Sequence, residues 1–232
     1  MGKKVLKSGS NTFKFPVELY SLNESSKGKN GGNGSYEFTP YPEVEQDSKV
    51  IFVHKFFDKK LCDTLIRHIS DSNVMESFSQ RGTKDYAARV NDRFSITDDE
   101  IAQILWTRLR RSLLQDGFIS EDLQFGAAKG LNPQLRVYRY EKGHHFGKHY
   151  DDSVQVPKMG TTRWTLLIYL SGDRELIGGD TIFYSARDNA ANGVHPSKGL
   201  ALLHKHGDDC LLHEAQLVEE GTKWVLRSDV VF

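Results

Sequence analysis

The second half of the chain constrains the fold most, because short β-type runs follow Pro133 one after another without a helical pattern between them. Turn-rich spacers such as SGDRELIGG and ARDNAANGVHPSKG separate these runs. Many short strands without intervening helices are typical of a sandwich, a jelly roll or a barrel. We therefore predict a mainly β fold for the C-terminal half.

The first half carries two helical patterns, which predict a helical shoulder before the β region. Asp58 is placed to cap a helix over 59–71, where leucines and isoleucines form one apolar stripe. Thr97 and Glu100 have the spacing of a capping box, and Gly117 is expected to end the second helix.

The start of the chain has little to bury. The stretch SLNESSKGKNGGNGS consists mainly of Gly, Ser, Asn and Lys, so burial cannot compensate the entropy lost on ordering. We predict a flexible or weakly structured segment over 1–48 and a single domain over 49–232. Deletion of 1–35 is accordingly expected to change stability little.

Composition argues against several classes of protein. Lys plus Arg and Asp plus Glu are 31 each, so no nucleic-acid partner is expected. The basic start is followed by no apolar stretch, and no run approaches the length of a membrane span, so neither secretion nor a membrane partner is expected. The chain has only two cysteines, which predicts reduced thiols and a cytoplasmic or nuclear protein.

One group of residues has the pattern of a metal-binding site. His149 and Asp151 lie at i and i+2, so in an extended segment both project to one face and can reach one cation. His213 lies in the strand-like run CLLHEA, which a jelly roll can bring beside the first pair. Two histidines and a carboxylate form the facial triad of non-haem iron(II). Lys223 follows across a turn and could neutralise the far carboxylate of a diacid that chelates the metal.

These runs resemble the catalytic core of prolyl 4-hydroxylase-type 2-oxoglutarate oxygenases over about 133–232. The resemblance rests on LRVYRYEKGHHFGKHYD, RWTLLIYLSG, GGDTIFY, PSKGLALLHKH and LLHEAQLVEEGTKWVLRSD. It implies a double-stranded β-helix, that is, a jelly-roll, cupin-like barrel. It also implies Fe(2+), 2-oxoglutarate, O2 as cosubstrate and L-ascorbate as reductant.

The same resemblance implies roles for individual residues. The iron ligands and catalytic residues would be His149, Asp151 and His213, while Lys223, Tyr140 and Tyr169 would contact 2-oxoglutarate. Arg163 falls where relatives place an arginine near the substrate. Two further candidates come from position alone: Arg93 could reach over the barrel mouth, and Arg227 shares a strand face with Lys223. Structural alternatives remain open: the tyrosines could fill the barrel, and the arginines could pair with Asp92, Asp98 or Asp229. The remaining histidines, including His204 and His206 in loop-like contexts, are expected to have no role.

The implied reaction is hydroxylation of an unactivated C–H, with release of succinate and CO2. The substrate would be a side chain of an intracellular protein, prolyl or other, or an amino-acid-like small molecule. The sequence does not choose between these, because substrate choice depends on the loops around the site. The alternative from another class is a non-enzymatic, cupin-like metal-binding protein.

Overall fold

The computed structural model describes residues 13–22, 39–185 and 190–232 of the chain. Its helices are α1 (Val17–Tyr20), α2 (Lys59–Asp71), α3 (Asp99–Leu113) and α4 (Gly117–Glu121). The strands of the first half and the barrel entrance are β1 (Pro42–Glu45), β2 (Val50–Val53), β3 (Glu76–Gln80), β4 (Arg89–Thr97), β5 (Gly130–Leu131), β6 (Gln134–Tyr140), β7 (His145–His149) and β8 (Gln155–Val156). The remaining strands are β9 (Gly160–Tyr169), β10 (Ile177–Gly178), β11 (Thr181–Tyr184), β12 (Ala191–Val194), β13 (Ala201–Lys205), β14 (Leu212–Ala215), β15 (Val218–Glu220) and β16 (Lys223–Val231).

Eight strands of the C-terminal half form two four-stranded antiparallel arrays. One array has the order β13-β9-β16-β6, the other β7-β14-β11-β12, and β4 pairs with both β6 and β7. The arrays meet inside the barrel, where the Tyr169 hydroxyl lies 2.8 Å from the Thr181 hydroxyl. This topology confirms the predicted double-stranded β-helix.

Additional elements extend or brace the barrel. Strands β1 and β2 continue the first array beyond β13, and β3 pairs with β4 to form a two-stranded ribbon. Strands β5 and β8 add short pairings to β16 and β9, and β10 pairs with β15 in a separate ribbon.

The main core lies between the helices and the outer face of the first array. On β9, Leu166 and Ile168 are 1% exposed and belong to the same apolar cluster as residues of α2 and α3. Tyr169, on the alternate face, points into the barrel with Phe183 and Val225. Period-2 alternation therefore divides each strand into an apolar outer side and a functional inner side.

Both predicted helices exist, but the second differs in its bounds. Asp58 caps α2 by accepting a hydrogen bond from the Leu61 N–H at 2.7 Å, as predicted. Thr97 does not cap α3, because it is the last residue of β4 and pairs with Gln134. Asp98 caps the helix instead.

The far end of α3 also differs from the prediction. The helix ends at Leu113, and Gly117 begins α4. Asp116 is the reason for this new start, since its carboxylate accepts a hydrogen bond from the Ile119 N–H at 3.0 Å.

The start of the chain requires a second correction. Phe15 and Leu19 are buried in the main core, and α1 contacts α2 and α3, so residues 13–22 are not weakly structured. Strand β1, which lies before residue 49, pairs with β2 and is therefore also ordered. Deletion of 1–35 should therefore destabilise the protein, because it removes two buried side chains. Of the stretch SLNESSKGKNGGNGS over 21–35, which is predicted to be flexible, residues 23–35 lie outside the described residues.

Candidate metal centre

His149, Asp151 and His213 converge at one point inside the barrel. His149 ends β7 and pairs directly with His213 on β14, and Asp151 follows β7 closely. One ligand atom from each residue lies within 4.8 Å of the others. The predicted triad is thus brought together by strand pairing, although 213 and 149 are far apart in the sequence.

Backbone carbonyls orient both imidazoles. The Nδ1–H of His149 donates to the Gly147 carbonyl at 2.8 Å, and that of His213 donates to the Leu211 carbonyl at 2.9 Å. Because a carbonyl can only accept, each Nε2 keeps its lone pair for a cation. Burial and the neighbouring His213 lower the pKa of His149 to about 4, and burial also lowers the pKa of His213. Both rings are therefore neutral at physiological pH, as metal ligands must be.

The Asp151 carboxylate is buried and remains ionised. Burial alone would raise its pKa, but the guanidinium of Arg227, 3.0 Å away, holds the pKa well below its usual range. Thr165 Oγ1 donates to Asp151 Oδ2 at 2.9 Å. Two neutral imidazoles and one carboxylate on a shared cavity match the donor set that suits non-haem iron(II).

His204 also lies at this centre, which the sequence analysis missed. It is 1% exposed, and its Nε2 lies 3.6 Å from Asp151 Oδ2 without a hydrogen-bond partner in the described part of the chain. The missed signal was alternation along GLALLHKH: Leu200, Leu202 and His204 share one side of the chain, and both leucines face the barrel interior.

Cys210 completes a second group with His204 and His213 that could hold a metal ion. Burial raises the pKa of the Cys210 thiol to about 11, so the thiolate required for coordination is disfavoured. His213 Nδ1 faces Cys210 at 3.9 Å but already donates to the Leu211 carbonyl. The triad with Asp151 is therefore the better site.

Lys223 lies at the other end of the same cavity and is 2% exposed. Its ammonium donates to the Gly179 carbonyl at 2.7 Å and to Thr181 Oγ1 at 3.2 Å, and it lies 5.7 and 5.5 Å from the rings of Tyr140 and Tyr169. Over residues 13–22, 39–185 and 190–232 it has no carboxylate within 4.0 Å. Burial lowers its pKa to about 7. The charge of Asp180 raises the pKa but does not offset burial, so the cavity holds a buried amine with no carboxylate within ion-pair distance among the described residues.

The two tyrosines line the cavity as expected. Burial raises the pKa of Tyr140 to about 12 and also raises the pKa of Tyr169, so both hydroxyls stay protonated. They can donate hydrogen bonds to an anion held by Lys223.

The three arginine candidates lie in different places. Arg227 lines the cavity but is neutralised by Asp151 and, at 3.2 Å, by Asp229. Arg93 is exposed in a groove that leads to the cavity and lies over the Phe78 ring at 4.1 Å. Arg163 is not at the site: it is exposed, donates to Gln124 at 2.9 Å and lies over Phe232. Arg163 lies near the start of β9. It shares a strand face with Thr165 but does not reach the metal centre.

The groove outside the cavity has a volume of about 1370 Å³ and shares Arg89, Tyr138, Phe146 and His149 with it. Arg89 was not recognised from the sequence, and only the pairing of β4 with β6 and β7 brings it here.

No helix among the described residues is long and apolar enough to cross a membrane.

Comparison with protein families agrees with this donor set. Residues 135–228 match the model of the 2OG-Fe(II) oxygenase superfamily. The chain carries a 2-oxoglutarate-dependent dioxygenase domain. For this oxygenase, the family implies Fe(2+), 2-oxoglutarate and O2, and it disfavours a non-enzymatic metal-binding protein. No curated protein sequence matches the chain.

Solved structures show that the oxygenase has the fold of prolyl hydroxylases. The viral collagen prolyl hydroxylase of Paramecium Bursaria Chlorella virus-1, in complex with 2OG, is 18% identical with a TM-score of 0.54, covering 80% of this chain and 97% of its own. A Pseudomonas putida prolyl-4-hydroxylase is 15% identical with a TM-score of 0.55, over 79% and 93%. A Trichoplax adhaerens prolyl hydroxylase in complex with a hypoxia inducible factor peptide fragment is 14% identical with a TM-score of 0.57, over 79% and 83%.

Proposed function

We propose that this oxygenase hydroxylates an unactivated C–H, with His149, Asp151 and His213 holding iron(II) and Lys223 holding 2-oxoglutarate. The observation that carries the proposal is the buried ammonium of Lys223, which shares a cavity with the three ligands and has no carboxylate beside it. A buried charge without a partner is costly, so the cavity favours an anion at this end. A diacid that chelates the metal with its keto-acid end supplies that anion.

The protein groups would bind and orient the cosubstrate. Lys223 would pair with the far carboxylate, and the rings of Tyr140 and Tyr169 lie 5.7 and 5.5 Å from its ammonium. Arg227 is a poorer anchor, because Asp151 and Asp229 already neutralise it. Bound iron(II) would supply the oxidation, with succinate and CO2 released and L-ascorbate keeping the metal reduced.

The substrate we propose is a side chain of an intracellular protein, prolyl or other, or an amino-acid-like small molecule. The groove outside the cavity supports a substrate larger than a metabolite, because it extends from His149 to the β3–β4 ribbon. Tyr86 and Tyr150, 66% and 60% exposed, lie along it and offer aromatic surface to a peptide. The Trichoplax enzyme of the same fold holds a peptide, which favours a peptide here.

Succinate formation tests the reaction class. Purified protein with iron(II), ascorbate and 2-oxoglutarate should form succinate only when oxygen is present. A panel of peptides and amino acids, followed by mass spectrometry, should then give a product heavier by one oxygen atom. Metal binding without any consumption of 2-oxoglutarate would instead favour a cupin-like protein that binds metal without catalysis.

A further inference from the structure

Two arginines of β4 face the groove together. Arg89 and Arg93 are four residues apart, so strand alternation places both on one side of β4. Both guanidinium groups lie over the same ring, Phe78, at 5.6 and 4.1 Å from its centroid. We call these two residues the arginine pair.

Arg89 is held by aromatic rings. Its guanidinium lies 4.7 Å from the Tyr138 ring centroid and 4.3 Å from that of Phe146. Its Nε donates to Asn91 Oδ1 at 2.8 Å, and Asn91 is 1% exposed. Contacts through the faces of the guanidinium leave its terminal N–H donors at the edge. Little side-chain entropy is then lost when these donors bind a ligand.

The arginine pair lacks an acidic partner, unlike its neighbours. Arg136 lies 3.6 Å from Asp229 and Arg139 lies 2.7 Å from Asp92. Within the ranges that the structure describes, neither Arg89 nor Arg93 has a carboxylate within 4.0 Å. Glu76 stands opposite Arg93 across the β3–β4 pairing but forms no such ion pair. Two cations on one side of β4 are therefore available to an external anion.

The pair also lies close to the metal centre. The Phe146 ring that contacts Arg89 stacks on His149, with centroids 3.6 Å apart and an interplanar angle of 14°. Arg89 is thus separated from one of the three ligands by a single aromatic ring. A group bound by the pair would lie next to the part of the substrate presented for oxidation.

We infer that Arg89 and Arg93 bind a carboxylate of the main substrate, close to the carbon that is hydroxylated. A guanidinium presents paired N–H donors that match the two oxygens of a carboxylate. The carboxylate is either the α-carboxylate of a free amino acid or an acidic side chain of a peptide. This inference rests on the proposed hydroxylase function and specifies its substrate class.

Pairs of probes, each a carboxylic acid and the amide that differs from it only in this group, test the inferred carboxylate site. One set contains the free amino acids with their amides, and the other contains proline-containing peptides with Glu or Gln beside the proline. Affinity is measured by calorimetry on the protein loaded with iron(II) and 2-oxoglutarate under anaerobic conditions. The acid of at least one pair should bind at least about 10-fold more tightly than its amide, and the set that responds identifies the source of the carboxylate.

Substitutions test whether the arginine pair is responsible for the preference for the acid. In R89Q and R93Q the preference for the acid should fall below about 3-fold. R93Q should bind 2-oxoglutarate as before, because Arg93 lies in the groove and not in the cavity. R67Q, which removes an exposed arginine of α2, is the matched control and should keep the full preference. Equal binding of acids and amides, or a full preference retained in both variants, overturns the inference. Failure of the wild-type protein to bind 2-oxoglutarate would overturn the proposed function instead.

Discussion

The two faces of the array β13-β9-β16-β6 are built from the same strands but differ in chemistry. The outer face, with Leu166 and Leu226, is mainly apolar and packs under α2 and α3. The inner face places Tyr169, Lys223 and Arg227 around a cavity, where charges and hydroxyls are buried at a cost. The outer face therefore supplies stability and the inner face supplies function. Substitutions on the two faces should separate these properties.

The largest effect is expected from the three proposed ligands on the inner side. His149→Ala, Asp151→Ala and His213→Ala should each abolish turnover, because two ligands cannot hold iron(II) in an open facial site. Thermal melting should change far less than activity. Iron content, 2-oxoglutarate turnover and melting temperature are measured together. Near-normal turnover in any one variant would remove that residue from the centre.

A large loss of stability is expected on the outer face. Leu226→Ala removes a fully buried side chain from the main core and should lower the free energy of unfolding by about 2–5 kcal/mol. The apparent affinity for 2-oxoglutarate of the folded protein should stay within about 2-fold, since Leu226 points away from the cavity. Urea unfolding and 2-oxoglutarate titration at low temperature check this. A matching loss of affinity would show that the two faces are coupled.

Lys223 and Arg227 provide the comparison within the inner face. Lys223→Met should weaken 2-oxoglutarate binding by roughly 100-fold, about 2.7 kcal/mol. Its stability should fall less than that of Arg227→Met, because it loses hydrogen bonds to Gly179 and Thr181 but no ion pair. Arg227→Met should lower the free energy of unfolding by about 3–5 kcal/mol, because it leaves Asp151 buried without its arginine and Asp229 with Arg136 alone. Unfolding and binding are measured for both variants. A large loss of 2-oxoglutarate affinity in Arg227→Met alone would reverse the assignment.

The smallest effect concerns pH. The pKa of Lys223 is about 7 in the folded protein and about 10.4 in an unfolded chain. Between these values the unfolded state binds more protons, so this residue makes the protein more stable as pH rises from about 7 to about 10. The slope contributed is on the order of 1 kcal/mol per pH unit and should vanish in Lys223→Met. Binding of 2-oxoglutarate should weaken over the same range, because the neutral amine cannot pair with a carboxylate.

Measured unfolding free energies across pH 6–10, with and without saturating 2-oxoglutarate, check this prediction. Bound 2-oxoglutarate keeps Lys223 protonated. The free energy of unfolding should therefore change less with pH in the lower part of this range when 2-oxoglutarate is present. An identical pH dependence in the wild-type protein and Lys223→Met would mean that the ammonium is not desolvated.

The sequence predicts the parts of the fold that depend on local pattern. The strand succession after Pro133 and the cap of α2 by Asp58 are both confirmed. The bounds of α3 were predicted less well, because Thr97 and Asp98 are both suitable caps and only the pairing of Thr97 with Gln134 decides between them. The burial of Leu19 was missed, because a four-residue helix in a polar segment carries too short an apolar pattern.

For the site, the sequence by itself determined the residues that share a strand face. His149 and Asp151, or Lys223 and Arg227, are related by the two-residue period of an extended chain, which needs no tertiary information. Tertiary structure decided which distant residues meet. Pairing of β14 with β7 sets His213 opposite His149, the position along β9 keeps Arg163 away, and the pairing of β4 with β7 brings Arg89 onto Phe146. Register and burial arise between segments far apart in the chain, so no local pattern encodes them.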